Sequence, residues 1–197
     1  MTPILQKLIS QFQFLPGIGE KTAQRFAYYI FSRQKEAARQ FASTLIEALD
    51  NIVHCSQCRN LSETPVCHLC TDPNRDNSLL CIVEHPSNIQ ILETTQSYKG
   101  RYFVLHGALS PIDGITPYDL GLNQLSEYIQ ESDIQEIIVA TSSKVEGEAT
   151  AYYIYDQFKD TVKVSRLASG MPMGGTLDYI DGQTLKRALR GRSLIDD

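Results

Sequence analysis

Long apolar runs are missing from this chain: none approaches the ~20 residues that a membrane-spanning helix needs, so no membrane segment is expected. A positively charged segment followed by an apolar one is also missing from residues 1–13, and a cytoplasmic protein is therefore expected. There is no Gly-x4-Gly-Lys-Ser/Thr phosphate loop, which leaves ATP hydrolysis without its cradle. No internal repeat and no low-complexity tract is found. An excess of positive charge is absent as well, the formal net charge being −5. A whole-chain basic surface for nucleic acid is thereby excluded. With 42% hydrophobic and 21% charged residues the composition is that of a folded protein, too apolar for disorder.

The charge is unevenly spread. Residues 1–54 hold six Lys/Arg against four Asp/Glu, whereas residues 81–197 hold ten against sixteen. DNA contacts are therefore expected near the N-terminus, and the acidic remainder is expected to repel DNA unless it binds something else. Four of the five cysteines are paired, as Cys55, Cys58, Cys67 and Cys70, and Cys81 stands apart. In a cytosolic chain such spacing points to metal before disulfides.

Residues 1–54 read as helical. Thr2 can cap and Pro3 suits the first helical position. Ile4, Leu5, Leu8, Ile9 and Phe12 then share one face. A second helix begins near Glu20 with Ala23, Phe26, Ala27, Ile30 and Phe31 as its buried stripe. A third covers about 36–53 with Ala38, Phe41, Ala42, Leu45, Ala48, Leu49 and Ile52 facing in. Residues 55–75 are polar and turn-rich, too poor in apolar residues to fold without a staple. From Leu79 onward, strand-like runs (Leu79–Val83, Tyr102–Leu105, Ile137–Ala140, Val162–Val164) alternate with helical patterns at 87–93, 123–132 and 147–158. That alternation predicts a mainly parallel sheet covered by helices. Residues 106–119, with Gly107, Pro111, Gly114 and Pro117, read as a long loop.

Three motifs carry chemistry. Leu15-Pro16-Gly17-Ile18-Gly19-Glu20-Lys21-Thr22-Ala23 lies between two helices and resembles the helix–hairpin–helix DNA-binding motif. Gly17 and Gly19 permit a tight turn, and their amides, with the start of the next helix, make a nest for a phosphate oxygen. Ile18 would plug the hairpin. Lys21 and Arg25, four residues apart, project beside the nest, and such contacts read the DNA backbone rather than bases. A plain helix cap with incidental glycines is the alternative. Cys55-x2-Cys58-x8-Cys67-x2-Cys70 offers two knuckles to one tetrahedral Zn²⁺, closed and hence structural. The alternative is a pair of redox or incidental cysteine pairs. His54 and His68 adjoin ligands and are read as exposed.

The third motif is acidic. Glu84 ends an apolar strand, where open α/β folds place their sites. Ile137 to Ala149 reads as strand, loop and helix start, and resembles the Toprim domain of topoisomerases and primases. Catalytic Toprim loops carry Asp-x-Asp, which with the strand-end Glu holds Mg²⁺. Here those two positions are Ser142 and Lys144, and a lysine there removes a ligand and adds repulsion. Glu84, Glu146 and Glu148 remain. A dead scaffold is the favoured reading, and a Toprim-type metal-dependent nuclease or primase-like enzyme using these three carboxylates is the alternative. Leu177-Asp178-Tyr179-Ile180-Asp181 loosely resembles a Walker B strand. It is read as a surface strand or interface segment, with Gly170, Pro172, Gly174 and Gly175 as its flexible approach.

The order of these pieces resembles the bacterial RecR family of recombination mediators over essentially the whole chain. Matching phrases include Leu80-Cys81-Ile82-Val83-Glu84, Ser110-Pro111-Ile112-Asp113-Gly114-Ile115, Glu146-Gly147-Glu148-Ala149-Thr150-Ala151 and Gly170-Met171-Pro172-Met173-Gly174-Gly175. Departures are His106, where the family more often has glycine, and Ser142-Ser143-Lys144. The resemblance implies a multi-part α/β protein: a helix–hairpin–helix region over 1–54, a four-cysteine zinc finger over 55–76, a Toprim-like domain over 77–168 and a Walker B-like arm with a helix over 169–197. It further implies a non-catalytic factor that binds single- and double-stranded DNA without regard to sequence. Such a factor acts with RecO and RecF to help load RecA onto single strands, forms a ring-like homotetramer and works at the nucleoid in the cytoplasm. One structural Zn²⁺ per chain is implied, and the acidic region with Glu84, Glu146 and Glu148 is expected to dock partners.

Overall fold

The structure, a computed structural model, describes residues 1–168, 170–171 and 174–192. It divides into two units, Met1–Ile52 and Val53–Asp197. Among the described residues no helix is long and apolar enough to cross a membrane.

The first unit is three helices: α1 (Pro3–Phe12), α2 (Glu20–Arg33) and α3 (Lys35–Asn51). Thr2 is the N-cap of α1, through its carbonyl, which accepts from the Gln6 amide at 3.1 Å, and Pro3 fills the first helical position. The interior is small. Ile9, Ala23 and Ala27 are buried, with Leu5, Leu8, Phe12 and Ile18 packed against them. The two alanines let α1 approach α2 closely, and Phe12 meets Phe26 edge-on at 6.1 Å.

Two expectations fail here. Phe26 and Phe31 of the predicted buried stripe are exposed, and α3 buries nothing. Phe41, Leu45 and Leu49 are 63%, 47% and 73% exposed. The apolar spacing identifies a face correctly but not what covers it: one core between α1 and α2 uses up what a unit this small can bury.

The second unit begins with a two-stranded antiparallel ladder, β1 (Val53–His54) with β2 (Leu61–Ser62), followed by the short helix α4 (His68–Thr71). Then come β3 (Asp76–Val83), α5 (Pro86–Thr94), β4 (Gly100–Val104), α6 (Leu122–Gln130), β5 (Glu136–Ala140), α7 (Val145–Phe158) and β6 (Lys163–Arg166). The four strands β3 to β6 form one parallel sheet in the order β4-β3-β5-β6. This is the predicted strand–helix alternation, and the bounds of each apolar run fall within three residues of its strand's bounds. Side-chain alternation along β3 sorts the two faces. Leu80 and Ile82 enter the core against α6 and α7, while Cys81 and Val83 enter a second cluster that contains the four paired cysteines. Burial pushes the Cys81 thiol up to about 12, so it is an inert packing residue.

Residues 106–119 form the expected loop, pinned by a bridge between Ser110 and Ile115. After β6 the chain makes a 3₁₀ turn at Leu177–Tyr179 and a last helix, α8 (Gly182–Arg190). The Walker B-like segment is therefore not a strand: its exposed Leu177 and Tyr179 have no ladder to join. Pro172 and Met173 of the Gly170–Gly175 phrase lie outside the described residues.

Candidate nucleic-acid interface and metal centre

The hairpin between α1 and α2 is built as its glycines dictate, but the two differ in role. Gly17 has φ +78°, the left-handed region, and a Cβ there would meet nothing within 4 Å. The Ile18 amide closes the turn on the Leu15 carbonyl at 3.1 Å, and Ile18 packs onto the α1–α2 core. Gly19 is the N-cap of α2 with φ −83°, an ordinary value, and it too is open to solvent. Its carbonyl accepts the first helical bond, from Ala23 at 3.0 Å. The amides of Glu20, Lys21 and Thr22 thus precede the helical ladder and point out of the helix end. Lys21 and Arg25 are exposed on the same helix, and the Arg25 guanidinium lies 6.0 Å from the Phe26 ring. The turn therefore presents free amides and two exposed cations together.

The four cysteines converge. Their sulfurs all lie within 4.8 Å of one another, and all four residues are buried. Cys55 Sγ is 3.8 Å from Cys70 Sγ, and Cys58 Sγ is 3.5 Å from Cys67 Sγ. A tetrahedron of thiolates about 2.3 Å from a metal has edges of about 3.8 Å, so the set already has the size a dication needs. The first knuckle is shaped by Arg59 at φ 61°, whose amide donates to the Cys55 carbonyl at 2.9 Å. The second is the first turn of α4, where the Cys70 amide donates to the Cys67 carbonyl at 3.0 Å. The Cys67 amide donates to Cys55 Sγ at 3.3 Å. Bonding with Cys67 and Cys70 and burial hold the Cys58 thiol well up, while bonding with Cys58 and Cys70 pulls Cys67 well down. Four sulfurs at this spacing cannot all ionise by themselves, and a bound dication resolves that conflict.

The knuckles are also seated on the sheet. The Val104 amide at the end of β4 donates to the Cys58 carbonyl at 2.9 Å. Arg101 Nη1 donates to the Leu69 and Cys70 carbonyls. Arg59 reaches the Leu120 carbonyl and lies over the Phe103 ring. His54 and His68 are exposed as expected, but His54 stacks on His106 at 4.5 Å. His106 has φ 61°, where glycine is easiest, and this explains why glycine suits the position. Here the ring compensates by bonding the Arg59 carbonyl through Nε2 at 2.7 Å and by the stack.

Glu84 follows the C-terminal end of β3, and Glu146 and Glu148 lie in the first turn of α7 beyond the C-terminal end of β5, where the strand order reverses. Glu84 Oε1 accepts from the Ser142 amide at 2.8 Å. Arg166, at the end of β6, donates to Glu148 Oε2 at 2.6 Å and to the Ser142 carbonyl at 3.1 Å. Arg187 of α8 lies 2.8 Å from Glu148 Oε1. The Arg166 guanidinium, aided by Arg187, holds the Glu148 carboxyl below its usual range. Thr141 Oγ1 donates to the Gly147 carbonyl, and a Cβ on Gly147 would collide with the Ser142 carbonyl. The loop is thus locked at both ends. Glu146 is exposed in the first turn of α7, and the three carboxylates do not gather at one point. Among the described residues the four sulfurs are the one group of His, Cys, Asp or Glu placed to share a metal. Sequence reasoning missed Arg166 and Arg187: nothing in a lone basic residue signals which distant carboxylate it will meet.

Models of known protein families match four consecutive stretches: the RecR helix-hairpin-helix over 5–49, the RecR four-cysteine zinc finger domain over 52–72, the Toprim domain over 78–168 and the RecR C-terminal region over 170–193. The recombination protein RecR of Alcanivorax borkumensis is 46% identical, over 98% of both chains. The chain belongs to the RecR family. RecR proteins of Xanthomonas oryzae pv. oryzae and Xanthomonas campestris pv. campestris are 45% and 44% identical, again over 98% of each chain. RecR relatives carry the name recombination protein, and recombination is the process in which this chain's site is to be understood.

Proposed function

We propose that this chain is a non-catalytic recombination mediator that grips the DNA backbone through the α1–α2 hairpin. The observation that carries this is the turn itself: a left-handed Gly17, an open Gly19 and exposed Lys21 and Arg25 beside unbonded helix-start amides. Such a surface fits phosphate oxygens of single or double strands and reads no base. One Zn²⁺ on Cys55, Cys58, Cys67 and Cys70 serves as a structural staple, since four thiolates leave no open coordination position. The chain works in DNA repair with RecO and RecF, helping to load RecA onto single-stranded DNA, at the nucleoid in the cytoplasm. Glu84, Glu146 and Glu148 contribute to a partner-docking face, with exposed Glu146 as its accessible charge. The bare apolar faces of α2 and α3 favour self-association, read here as a homotetramer.

The absence of catalysis rests on chemistry. Ser142 and Lys144 stand where Toprim enzymes hold Mg²⁺, Glu148 is taken by two guanidinium groups and Glu84 by an amide. The test of DNA binding is a salt titration of wild type and Lys21→Ala/Arg25→Ala, with circular dichroism as the folding control. Each lost phosphate contact shrinks the slope of log K against log salt by roughly 0.7 to 0.9. An unchanged affinity and slope in the folded variant removes the hairpin from the DNA site.

A further inference from the structure

Residues after Leu80 are acidic as a whole, but the last helix is not. Residues 182–192 carry Lys186, Arg187, Arg190 and Arg192 and no Asp or Glu. Arg187 is engaged, pinned on Glu148 at 2.8 Å. Ala188 faces the returning chain, so that a Cβ on Gly170 would sit 3.7 Å from its Cβ. Those contacts fix one side of α8. On the other side Lys186 and Arg190, four residues apart and hence neighbours on the helix surface, are exposed, as is Arg192 just beyond the helix.

Several other cations of this unit are neutralised, while exposed Lys99 and Lys144 make no ion pair among the described residues but each is the lone exposed cation of its stretch of sequence. Lys159 pairs with Asp156 at 2.6 Å, Lys163 with Glu136 at 2.8 Å, and Arg166 with Glu148 at 2.6 Å. Among the described residues neither Lys186 nor Arg190 makes an ion pair. Arg190, in the last turn, gains a little from the helix dipole; Lys186, further from the end, gains less.

We propose that α8 is a second nucleic-acid contact: Lys186 and Arg190, with Arg192, take phosphate oxygens, and Arg187 is the peg that holds the helix on Glu148. Exposed long cations without a surrounding groove suit a flexible polyanion. The proposal rests on the DNA-binding reading for its ligand class, but not on the hairpin.

The experiment measures affinity of the full-length protein for a fixed-length oligonucleotide, single- and double-stranded, across salt. Wild type, Lys186→Gln/Arg190→Gln, Lys21→Ala/Arg25→Ala and the fourfold variant are compared, with light scattering for assembly. Two lost contacts shrink the salt slope by about 1.4 on single strands and about 1.8 on duplex, and the fourfold variant loses both contributions. Charge reversal with Lys186→Glu/Arg190→Glu deepens the loss. If the hairpin variant keeps its slope while the α8 variant loses it, the hairpin reading falls and this proposal stands. An α8 variant with unchanged slope in both backgrounds overturns it. So does an α8 variant that comes apart as an assembly while its slope is intact, since the basic face then belongs to a protein contact.

Discussion

Gly17→Ala and Gly19→Ala separate two glycines that look equivalent in Pro16-Gly17-Ile18-Gly19. Gly17 sits at φ +78°, and a Cβ there touches nothing. The penalty is therefore purely conformational, about 1–2 kcal/mol for holding an L-residue in the left-handed region. Gly19 sits at φ −83° with equal free space. Alanine there loses roughly 0.5–1 kcal/mol as an N-cap and regains about 0.4–1 kcal/mol by restricting the unfolded chain. Thermal or denaturant unfolding of both variants should show a loss of about 1–2 kcal/mol for Gly17→Ala and a change near zero for Gly19→Ala. DNA affinity of Gly17→Ala should fall by up to about tenfold for each 1.4 kcal/mol needed to restore the turn, with the salt slope kept because no cation is removed. Equal stability losses for the two variants would refute the assigned backbone geometry.

Elemental analysis of protein purified under reducing conditions should find one zinc per chain, and Cys67→Ser should abolish it and lower the unfolding temperature. Incubation of labelled DNA with Mg²⁺ or Mn²⁺ should yield no cleavage; cleavage that vanishes in Glu84→Ala would contradict the mediator reading. Light scattering should report four chains, with Phe41→Asp/Leu45→Asp dissociating the assembly while each chain stays folded. Glu148, held below the usual carboxylate range by Arg166 and Arg187, stabilises the attachment of α8 above about pH 4.3. That contribution is lost as pH falls through its lowered folded value. Protection factors across 182–190, corrected for the intrinsic pH dependence of amide exchange, should therefore fall on acidification in wild type. In Arg187→Ala they should already be low at neutral pH.

The parallel sheet was legible because strand runs such as Leu79–Val83 and Ile137–Ala140 are short, apolar and bounded by polar breaks. The metal centre was legible because Cys-x2-Cys encodes its own local geometry. The α3 stripe was misassigned for a general reason: periodicity marks an apolar face but not its cover. The strand alternative for the segment after Leu177 failed because an acid following apolar residues is too little pattern to require a strand. The pairing of Arg166 and Arg187 with Glu148 was out of reach, because it joins residues from β6, α8 and α7 with no shared spacing. The net charge of residues 81–197 likewise concealed a basic helix inside an acidic average.

The bond from the Val104 amide to the Cys58 carbonyl has a colloidal consequence. β4 is an outer strand of the sheet, paired on one side only, with β3. Its other side is occupied at Val104 by the first cysteine knuckle and at Arg101 by that side chain's reach to α4. The cysteine knuckle thus doubles as a bumper on a strand whose free amides and carbonyls would otherwise template pairing with another chain. Stripping the metal does more than loosen a small loop: it uncovers a sticky rim, so turbidity on chelation should rise with protein concentration before the helices melt.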